Sequence, residues 1–119
     1  MADYRLGVRL FREIAESLPD GHRDEAIRMA ALGEYLMRAC ITTLNLKKGR
    51  AAWRRGDRKE VLALALEEYA NAEAALRVVD ADSRLGWLAS SDYTGGRRQI
   101  EWKLAKLRIL IDSLSQTLR

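Results

Sequence analysis

The sequence predicts an all-α protein: an antiparallel up-down-up-down four-helix bundle with a long loop between its third and fourth helices. Three observations lead to this fold class. Apolar residues recur at spacings of three and four in four separate segments, which is the period of an amphipathic helix. No segment alternates apolar and polar residues with β-branched enrichment, as a strand would. The first two connections are short, which favours antiparallel neighbours.

Length and composition indicate one globular domain, residues 1–119. A chain of 119 residues is long enough to bury a core without disulfides or a structural metal. Hydrophobic residues make up 48% and charged residues 32%, with one proline, which excludes a disordered or collagen-like chain. We expect helices over about 3–18, 23–50, 57–79 and 97–118.

Helix one is predicted from a single apolar stripe that ends before a turn. The stripe consists of Tyr4, Val8, Phe11, Ala15 and Leu18. Pro19-Asp20-Gly21 then combines a residue that cannot continue a helix with a turn former and a flexible glycine. A sharp chain reversal should follow helix one.

Helix two carries an apolar arc that is broad enough to contact two neighbouring helices. The small residues Ala26, Ala30 and Gly33 should let one neighbour come close. The single cysteine, Cys40, lies in this arc and is interpreted as a small core residue. The arc comprises Ala26, Ile27, Ala30, Leu32, Gly33, Leu36, Met37, Cys40, Ile41 and Leu44. The helix is expected to reach about Lys48, and a continuation to Arg55 stays open.

Helices three and four show heptad-like seams on either side of the long loop. Gly56 predicts a helix stop, Asp57 an N-cap, and Glu60 the carboxylate of a capping box. The seam of helix three is Leu62, Ala65, Tyr69, Ala72, Leu76 and Val79. The seam of helix four is Ile100, Leu104, Leu107, Ile111, Leu114 and Leu118. Packing of these seams should form the core.

Groups for the usual kinds of catalysis are scarce in this sequence. The only histidine, His22, lies about 27 Å of helical rise from Cys40, so the two cannot form a nucleophile–base pair within one chain. A di-iron Glu-x-x-His motif is excluded because Pro19 stands three residues before His22. There is no zinc-type cluster, glycine-rich phosphate loop or calcium-loop spacing. We therefore expect no metal, no cofactor and no enzymatic activity.

The net charge of +4 is concentrated in the segment KKGRAAWRRGDRK, which carries seven basic residues and one acid. One interpretation is a surface that binds RNA or DNA, with cations for phosphates and an indole for base stacking. The other is a solvated helix end, where cations favour the helix dipole and the tryptophan packs under the next helix. The candidate nucleic-acid residues are Lys47, Lys48, Arg50, Trp53, Arg54, Arg55, Arg58 and Lys59.

The loop segment DSRLGW also has two interpretations. In the first, Arg84 pairs with Asp80 and Asp82 and fixes the crossing between helices three and four, while Leu85 and Trp87 plug the bundle end. In the second, polar and aromatic side chains form a site for a sugar or another small polar ligand. The candidate ligand-binding residues are Asp82, Arg84, Trp87 and Tyr93.

The strings EEYANAEAALRVVDADSRLGW and IEWKLAKLR resemble the carboxyl-terminal helical region of large bacterial proteins related to glycoside hydrolases, of the α-glucuronidase-like kind. The matching residues are Glu68, Asn71, Ala72, Glu73, Asp82 to Trp87, Glu101, Trp102 and Lys103. The resemblance covers the chain from about residue 30. This chain departs from the family pattern after the tryptophan, where Leu88-Ala89-Ser90-Ser91 replaces an acidic residue and a proline. The resemblance implies at most an accessory helical module beside a carbohydrate site built elsewhere.

These observations lead to one functional expectation and one alternative. We expect a noncatalytic interaction or scaffolding module, accessory to a carbohydrate-active protein in the version that the resemblance implies. Its partner would be another protein, its own oligomer or a carbohydrate. The alternative is a small basic bundle that binds nucleic acid through residues 47–59. The start of the chain lacks a secretory signal pattern, and no run reaches the roughly 18 apolar residues of a membrane span, so a cytoplasmic location is expected.

Overall fold

The computed structural model describes residues 2–82, 84–85, 87–88 and 93–119, with the backbone alone for 87–88 and 93–94. These residues form α1 (Ala2–Ser17), α2 (Asp20–Arg55), α3 (Arg58–Ala81), β1 (Trp87–Leu88), β2 (Tyr93–Thr94) and α4 (Arg97–Thr117). The predicted all-α four-helix bundle is confirmed. The connection between α3 and α4 contains one feature that was not predicted, a short antiparallel pairing of β1 with β2.

Successive helices pack against each other, α1 on α2, α2 on α3 and α3 on α4. The 36 residues of α2 span about 54 Å at 1.5 Å per residue, which matches the 55 Å long axis of the molecule. The 16 residues of α1 span only about 24 Å. Helix α1 therefore covers the first half of α2 and leaves one side of its second half to solvent.

Small side chains form much of the core and bring the helices close together. Alanines are prominent among the buried residues, which also include Ile100, Ile111 and Leu114 of α4. At Gly33, a Cβ atom would lie 3.3 Å from Cγ2 of Val8, so a larger residue would push α1 away. The predicted close approach to the Ala26, Ala30 and Gly33 stripe is confirmed by this contact.

Helices α3 and α4 meet in two apolar clusters at opposite ends of the helix pair, and only the first consists wholly of predicted seam residues. Ala72, Val79 and Ile100 form the first cluster. The second joins α2 to the other two helices and consists of Ala52, Val61 and Leu114. Partly buried side chains pack around both clusters, namely Tyr35, Leu62, Ala75, Leu76, Leu85, Leu104 and Leu110.

The first turn of α2 begins earlier than the sequence predicts. Pro19 has the extended backbone of an N-cap residue, with φ −56° and ψ 152°. Its carbonyl oxygen accepts hydrogen bonds from the amides of His22 at 3.0 Å and Arg23 at 2.9 Å. Asp20 and Gly21 therefore belong to the helix rather than to a turn, because proline is compatible with the position that precedes a helix.

The junction between α2 and α3 follows the predicted cap residues in part. Gly56 adopts the left-handed conformation with φ 76°, and its amide and that of Asp57 donate to carbonyls of the last turn, which is a Schellman motif. The Asp57 carboxylate accepts a hydrogen bond from the Glu60 amide at 3.0 Å, as predicted for an N-cap. The predicted return bond from Glu60 is wrong, since its carboxylate pairs with Arg55 at 2.6 Å.

Several positions of the predicted apolar stripes are exposed, namely Tyr4, Phe11, Ile27, Leu32, Leu36, Cys40, Leu44 and Leu118. Cys40 lies on the surface of α2, so its interpretation as a core residue is wrong. The reason is the shortness of α1, which leaves this side of α2 uncovered at that level. Phe11 of the predicted α1 stripe is also largely exposed, because α1 contacts α2 chiefly through Val8 and Ala15.

Candidate functional site

Arg84 forms a bidentate ion pair with Asp82 in the loop that follows α3. Its Nε donates to Oδ1 at 2.8 Å and its Nη2 to Oδ2 at 2.6 Å, and the Arg84 amide also donates to Oδ1 at 3.1 Å. The hydrogen bonds from this side chain and its amide lower the pKa of Asp82 to about 2. The pair closes a local turn, so neither side chain links α3 to α4.

The link between α3 and α4 is made by other residues. Asp80 at the end of α3 pairs with Arg97 at the start of α4 at 3.5 Å, so the predicted pairing of Asp80 with Arg84 is wrong. Leu85 packs against the apolar cluster of Ala72, Val79 and Ile100, as predicted for a plug at this end of the bundle. The side chains of the other two candidate ligand-binding residues, Trp87 and Tyr93, lie outside the described part of the chain.

The second half of α2 presents a row of exposed cations, which we call the basic surface: Lys47, Lys48, Arg50 and Arg54. The helical period places Lys47, Arg50 and Arg54 on the side opposite the buried Asn45 and Ala52. Among the described residues, the four make no ion pair within 4.0 Å. Their charge is therefore available to an anionic partner.

The remaining candidate nucleic-acid residues lie around the turn into α3. The Arg58 guanidinium stacks 3.6 Å from the ring centroid of Trp53, whose side chain stays half-exposed. Arg55 is engaged with Glu60. The prediction that Trp53 packs under the next helix is therefore only half right, since one ring face is covered by an arginine. Lys59 is exposed on the first turn of α3.

An apolar groove lies between α2, α3 and α4, next to Trp53. Its volume is about 410 Å³, and its apolar walls include Leu46, Gly49, Trp53, Leu64, Leu107 and Leu110. A Cβ atom built at Gly49 meets nothing within 4 Å. The groove is open along the bundle and ends at a set of polar side chains.

These side chains form the interior polar cluster: Thr42, Asn45, Glu68, Asn71 and Lys103. The Glu68 carboxylate accepts hydrogen bonds from Thr42 at 2.5 Å, from Asn45 at 2.8 Å and from the Lys103 ammonium. Lys103 also donates to the Thr42 hydroxyl at 2.9 Å, and Asn71 donates to the same hydroxyl at 3.2 Å. The cluster joins α2, α3 and α4 at mid-bundle.

A chain of polar contacts extends from this cluster toward α1. Arg38 donates to Asn71 at 3.4 Å and to Glu34 at 3.3 Å, and Arg12 of α1 donates to Glu34. Arg12 is exposed, and the burial of Glu34 and Arg38 is tolerated because each faces an opposite charge or a hydrogen-bond partner. The Arg38 Nε atom is the exception among the described side-chain atoms, being buried without a partner.

The interior polar cluster was not predicted, because the predicted seam of α3 contains no charged residue and leaves Glu68 out. The signal was present in the spacing. Glu68 lies three residues after Ala65 and four before Ala72, so it shares their side of α3, and Asn71 adjoins them. Glu68 and Asn71 are buried together with these two alanines.

A second missed feature is a wide apolar surface on the hairpin of α1 and α2. Its members are exposed to between about 39% and 52%, and we call them the α1/α2 apolar face: Tyr4, Leu6, Leu10, Phe11, Ile14, Met29, Leu32 and Leu36. A shallow groove of about 410 Å³ runs between the two helices on this side. The signal was a second row at spacings of four, Leu6, Leu10 and Ile14, beside the predicted stripe.

Comparisons with protein-family models, with curated proteins and with solved structures found no match to this chain. Within the described residues, no group of three or more histidine, cysteine, aspartate or glutamate side chains is placed to hold a metal ion. No helix in the same part of the chain is long and apolar enough to cross a membrane.

Proposed function

We propose that this chain is a noncatalytic interaction module and that the α1/α2 apolar face is its docking surface. One observation carries the proposal. Helix α1 buries Val8 and Ala15 against α2, yet it presents a further row of large aliphatic side chains, Leu6, Leu10 and Ile14, to solvent. A concentration of eight large exposed apolar side chains on one helical hairpin is typical of a protein–protein contact rather than of a free surface.

The surface area of the molecule supports the same proposal. The accessible surface is 8434 Å². A compact monomer of 13.5 kDa exposes roughly 6,500 Å². The radius of gyration is 16.7 Å, against about 13.5 Å for a compact domain of this length. The elongated shape leaves apolar area in water that a partner would cover.

The interior polar cluster supports a structural rather than a catalytic role for its charged members. The Glu68 carboxylate accepts three hydrogen bonds and the Lys103 ammonium donates two within the bundle. A residue that acts on a substrate needs hydrogen-bonding capacity directed toward that substrate. In this cluster most of that capacity is used to hold three helices together.

Stability measurements on matched variants test whether the face serves docking or the fold. We expect the Leu10→Ser variant to have the same urea midpoint of unfolding as the wild type, because the Leu10 side chain is 45% exposed. Ile111→Ser should unfold far earlier, since Ile111 is 6% exposed. Both are compared at a concentration where the chain sediments as a monomer. A loss of more than about 1 kcal/mol for Leu10→Ser would assign the face to the fold and contradict the proposal.

A second candidate function, nucleic-acid binding, is favoured by the basic surface. Its unpaired cations lie in one exposed row on a rigid helix, and Trp53 next to them keeps half of its surface exposed. Phosphates would release counterions on binding, so affinity should fall steeply with salt. This candidate uses a different surface from the α1/α2 apolar face.

Fluorescence anisotropy with single-stranded and duplex oligonucleotides tests this candidate. Lys47→Glu with Arg54→Glu should abolish binding and its salt dependence. The matched control is Arg5→Glu with Arg9→Glu on α1, which changes the net charge by the same amount at another surface. If both double variants lose the same affinity, binding depends on net charge alone, and the assignment to the basic surface is wrong. No binding at low salt would retire the candidate.

The accessory role in carbohydrate binding stays a prediction. Arg84 and Asp82 satisfy each other in the described loop, which leaves them less able to bind a sugar. A sugar site would therefore depend on Trp87 and Tyr93. Calorimetry with oligosaccharides on the wild type and on Trp87→Ala tests that version, and it fails if the wild type gives no heat of binding.

A further inference from the structure

We propose that a second copy of this chain covers the α1/α2 apolar face, through an antiparallel contact of the two α1 helices about a twofold axis at Leu10. This inference rests on the proposed function and names the partner of the same surface. Three features of α1 support it: the symmetry of its exposed row, the space at Gly7 and the distribution of its charges. The accessible surface of the whole molecule supports it as well.

The exposed row of α1 is symmetric about its middle residue. Leu6, Leu10 and Ile14 are spaced by four, so they form one i±4 ridge along the helix. A twofold axis at Leu10 brings Leu10 against its own copy and Leu6 against Ile14 of the second copy. Both ends of the row are therefore filled by equivalent contacts, which is the property of a self-complementary interface.

Gly7 provides space beside this ridge. Glycine in a helix interior costs roughly 0.5–1 kcal/mol relative to alanine. No contact within the described residues explains that cost, because a Cβ atom at Gly7 would meet none of their atoms within 4 Å. Gly7 lies beside the ridge, one helical turn before Leu10, on the side of the groove between α1 and α2. The notch it leaves is where an aliphatic side chain of a facing helix fits.

The charges of α1 favour antiparallel pairing with its own copy. Within Ala2–Ser17, three acids balance three arginines, so two copies of this helix do not repel each other overall. Asp3, Arg5 and Arg9 give the first half a net charge of +1, and Arg12, Glu13 and Glu16 give the second half a net charge of −1. An antiparallel contact places the cationic half of one helix against the anionic half of the other. The basic surface, which would repel a second copy, is far along α2.

The exposed area is sufficient for such a contact. The accessible surface exceeds that of a compact monomer of this mass by about 1,900 Å², while a standard interface takes about 800 Å² from each partner. Two hairpins of α1 and α2 that face each other would also make a four-helix layer, the packing that amphipathic helix pairs commonly adopt.

Sedimentation equilibrium under reducing conditions tests the inference with Leu10→Glu and its control Ile109→Glu. The wild type should sediment at twice 13.5 kDa. Leu10→Glu should weaken association by about a hundredfold or more, because two carboxylates would meet at the axis. Ile109 is a 64% exposed aliphatic residue on α4 outside the face, so Ile109→Glu should leave the dimer intact. Circular dichroism verifies that each variant is folded.

Disulfide cross-linking tests the position of the axis independently. In a Cys40→Ser background, Leu10→Cys should cross-link two copies on mild oxidation, whereas Ile109→Cys should not. A dimer that survives Leu10→Glu, or a failure of Leu10→Cys to cross-link, would overturn the axis. A wild type that stays monomeric at all concentrations would overturn the second copy as partner. In that case, the proposed docking function would still stand if Leu10→Ser kept the stability of the monomer.

Discussion

The Lys103 ammonium of α4 and the Glu68 carboxylate of α3 form an ion pair inside the helical bundle, at one end of the apolar groove. The Glu68 side chain is 9% exposed and that of Lys103 32% exposed. Thr42 of α2 bonds to both partners. An ion pair at this depth fixes the rotation and the register of three helices relative to one another, because its hydrogen bonds require specific positions.

Removal of one partner of this pair should destabilise the bundle more than removal of both. We expect Lys103→Met to lower the free energy of unfolding by about 2–3 kcal/mol, since Glu68 would stay buried without a counter-charge. The partial exposure of Lys103 keeps this value below that of a fully buried pair. The double variant Glu68→Met with Lys103→Met should be closer to the wild type, as measured by urea unfolding.

The control for this cycle is Lys106→Met, at an exposed lysine one helical turn further on, 5.7 Å from the Trp102 ring centroid. It should change stability by less than about 0.5 kcal/mol. Additive effects of the Glu68 and Lys103 substitutions would show that the two side chains are not coupled.

A pair of glycine substitutions should have opposite effects on stability. Gly56 adopts φ 76°, where a Cβ atom is unfavourable, so Gly56→Ala should cost about 1–2 kcal/mol. Gly49 lies inside α2 with open space around its Cβ position, so Gly49→Ala should stabilise the chain by about 0.5–1 kcal/mol. Thermal unfolding of the two variants is the measurement. Equal shifts would contradict the assigned backbone conformations.

A comparison of Ile111→Ala with Ile109→Ala tests which side of α4 faces the core. Ile111 is buried and should lose about 2–4 kcal/mol on truncation, because its removal leaves a cavity among packed side chains. Ile109, two residues earlier, is mostly exposed and should lose less than about 1 kcal/mol. Urea denaturation of both variants measures the difference. The reverse order would place the seam on the wrong side of the helix.

The Asp82 carboxyl should titrate well below its ordinary pKa of 3.8, at about 2 in the folded chain. A pKa that is lower in the folded state contributes stability above the unfolded value, and this contribution is lost as the pH falls from about 4 to 2. Carbon-detected NMR titration of Asp82 measures the value. Arg84→Ala should return it toward 3.8, and Arg97→Ala should not change it.

Local features of the bundle could be predicted because they depend on neighbours in the sequence. The Gly56 cap, the Asp57 N-cap and the seam through Ala72 follow from backbone preferences and from the helical period. The exposure of Cys40 could not be predicted in this way. An apolar arc shows which side of a helix prefers contact, but not whether a neighbouring helix is long enough to reach it.

For the candidate surfaces as well, some properties could be predicted from the sequence and others could not. The concentration of cations between Lys47 and Lys59 is visible in the sequence. Which of them are paired is a property of the packed helices, where Arg55 pairs with Glu60 and the four cations of the basic surface make no ion pair among the described residues. The inward position of Glu68 and the outward position of Leu10 are also decided there. In both cases the residue type predicts the opposite environment.

The sequence alone determined the number of helices, their stop signals and the sides that prefer burial, because each depends on spacing and on local backbone energetics. Only the tertiary structure decided which of those sides are covered. Coverage depends on the lengths and the relative placement of whole helices. A short α1 against a long α2 leaves apolar area in water and exposes a row of cations. The Glu68 carboxylate remains buried because the Lys103 ammonium, which is distant in the sequence, lies beside it.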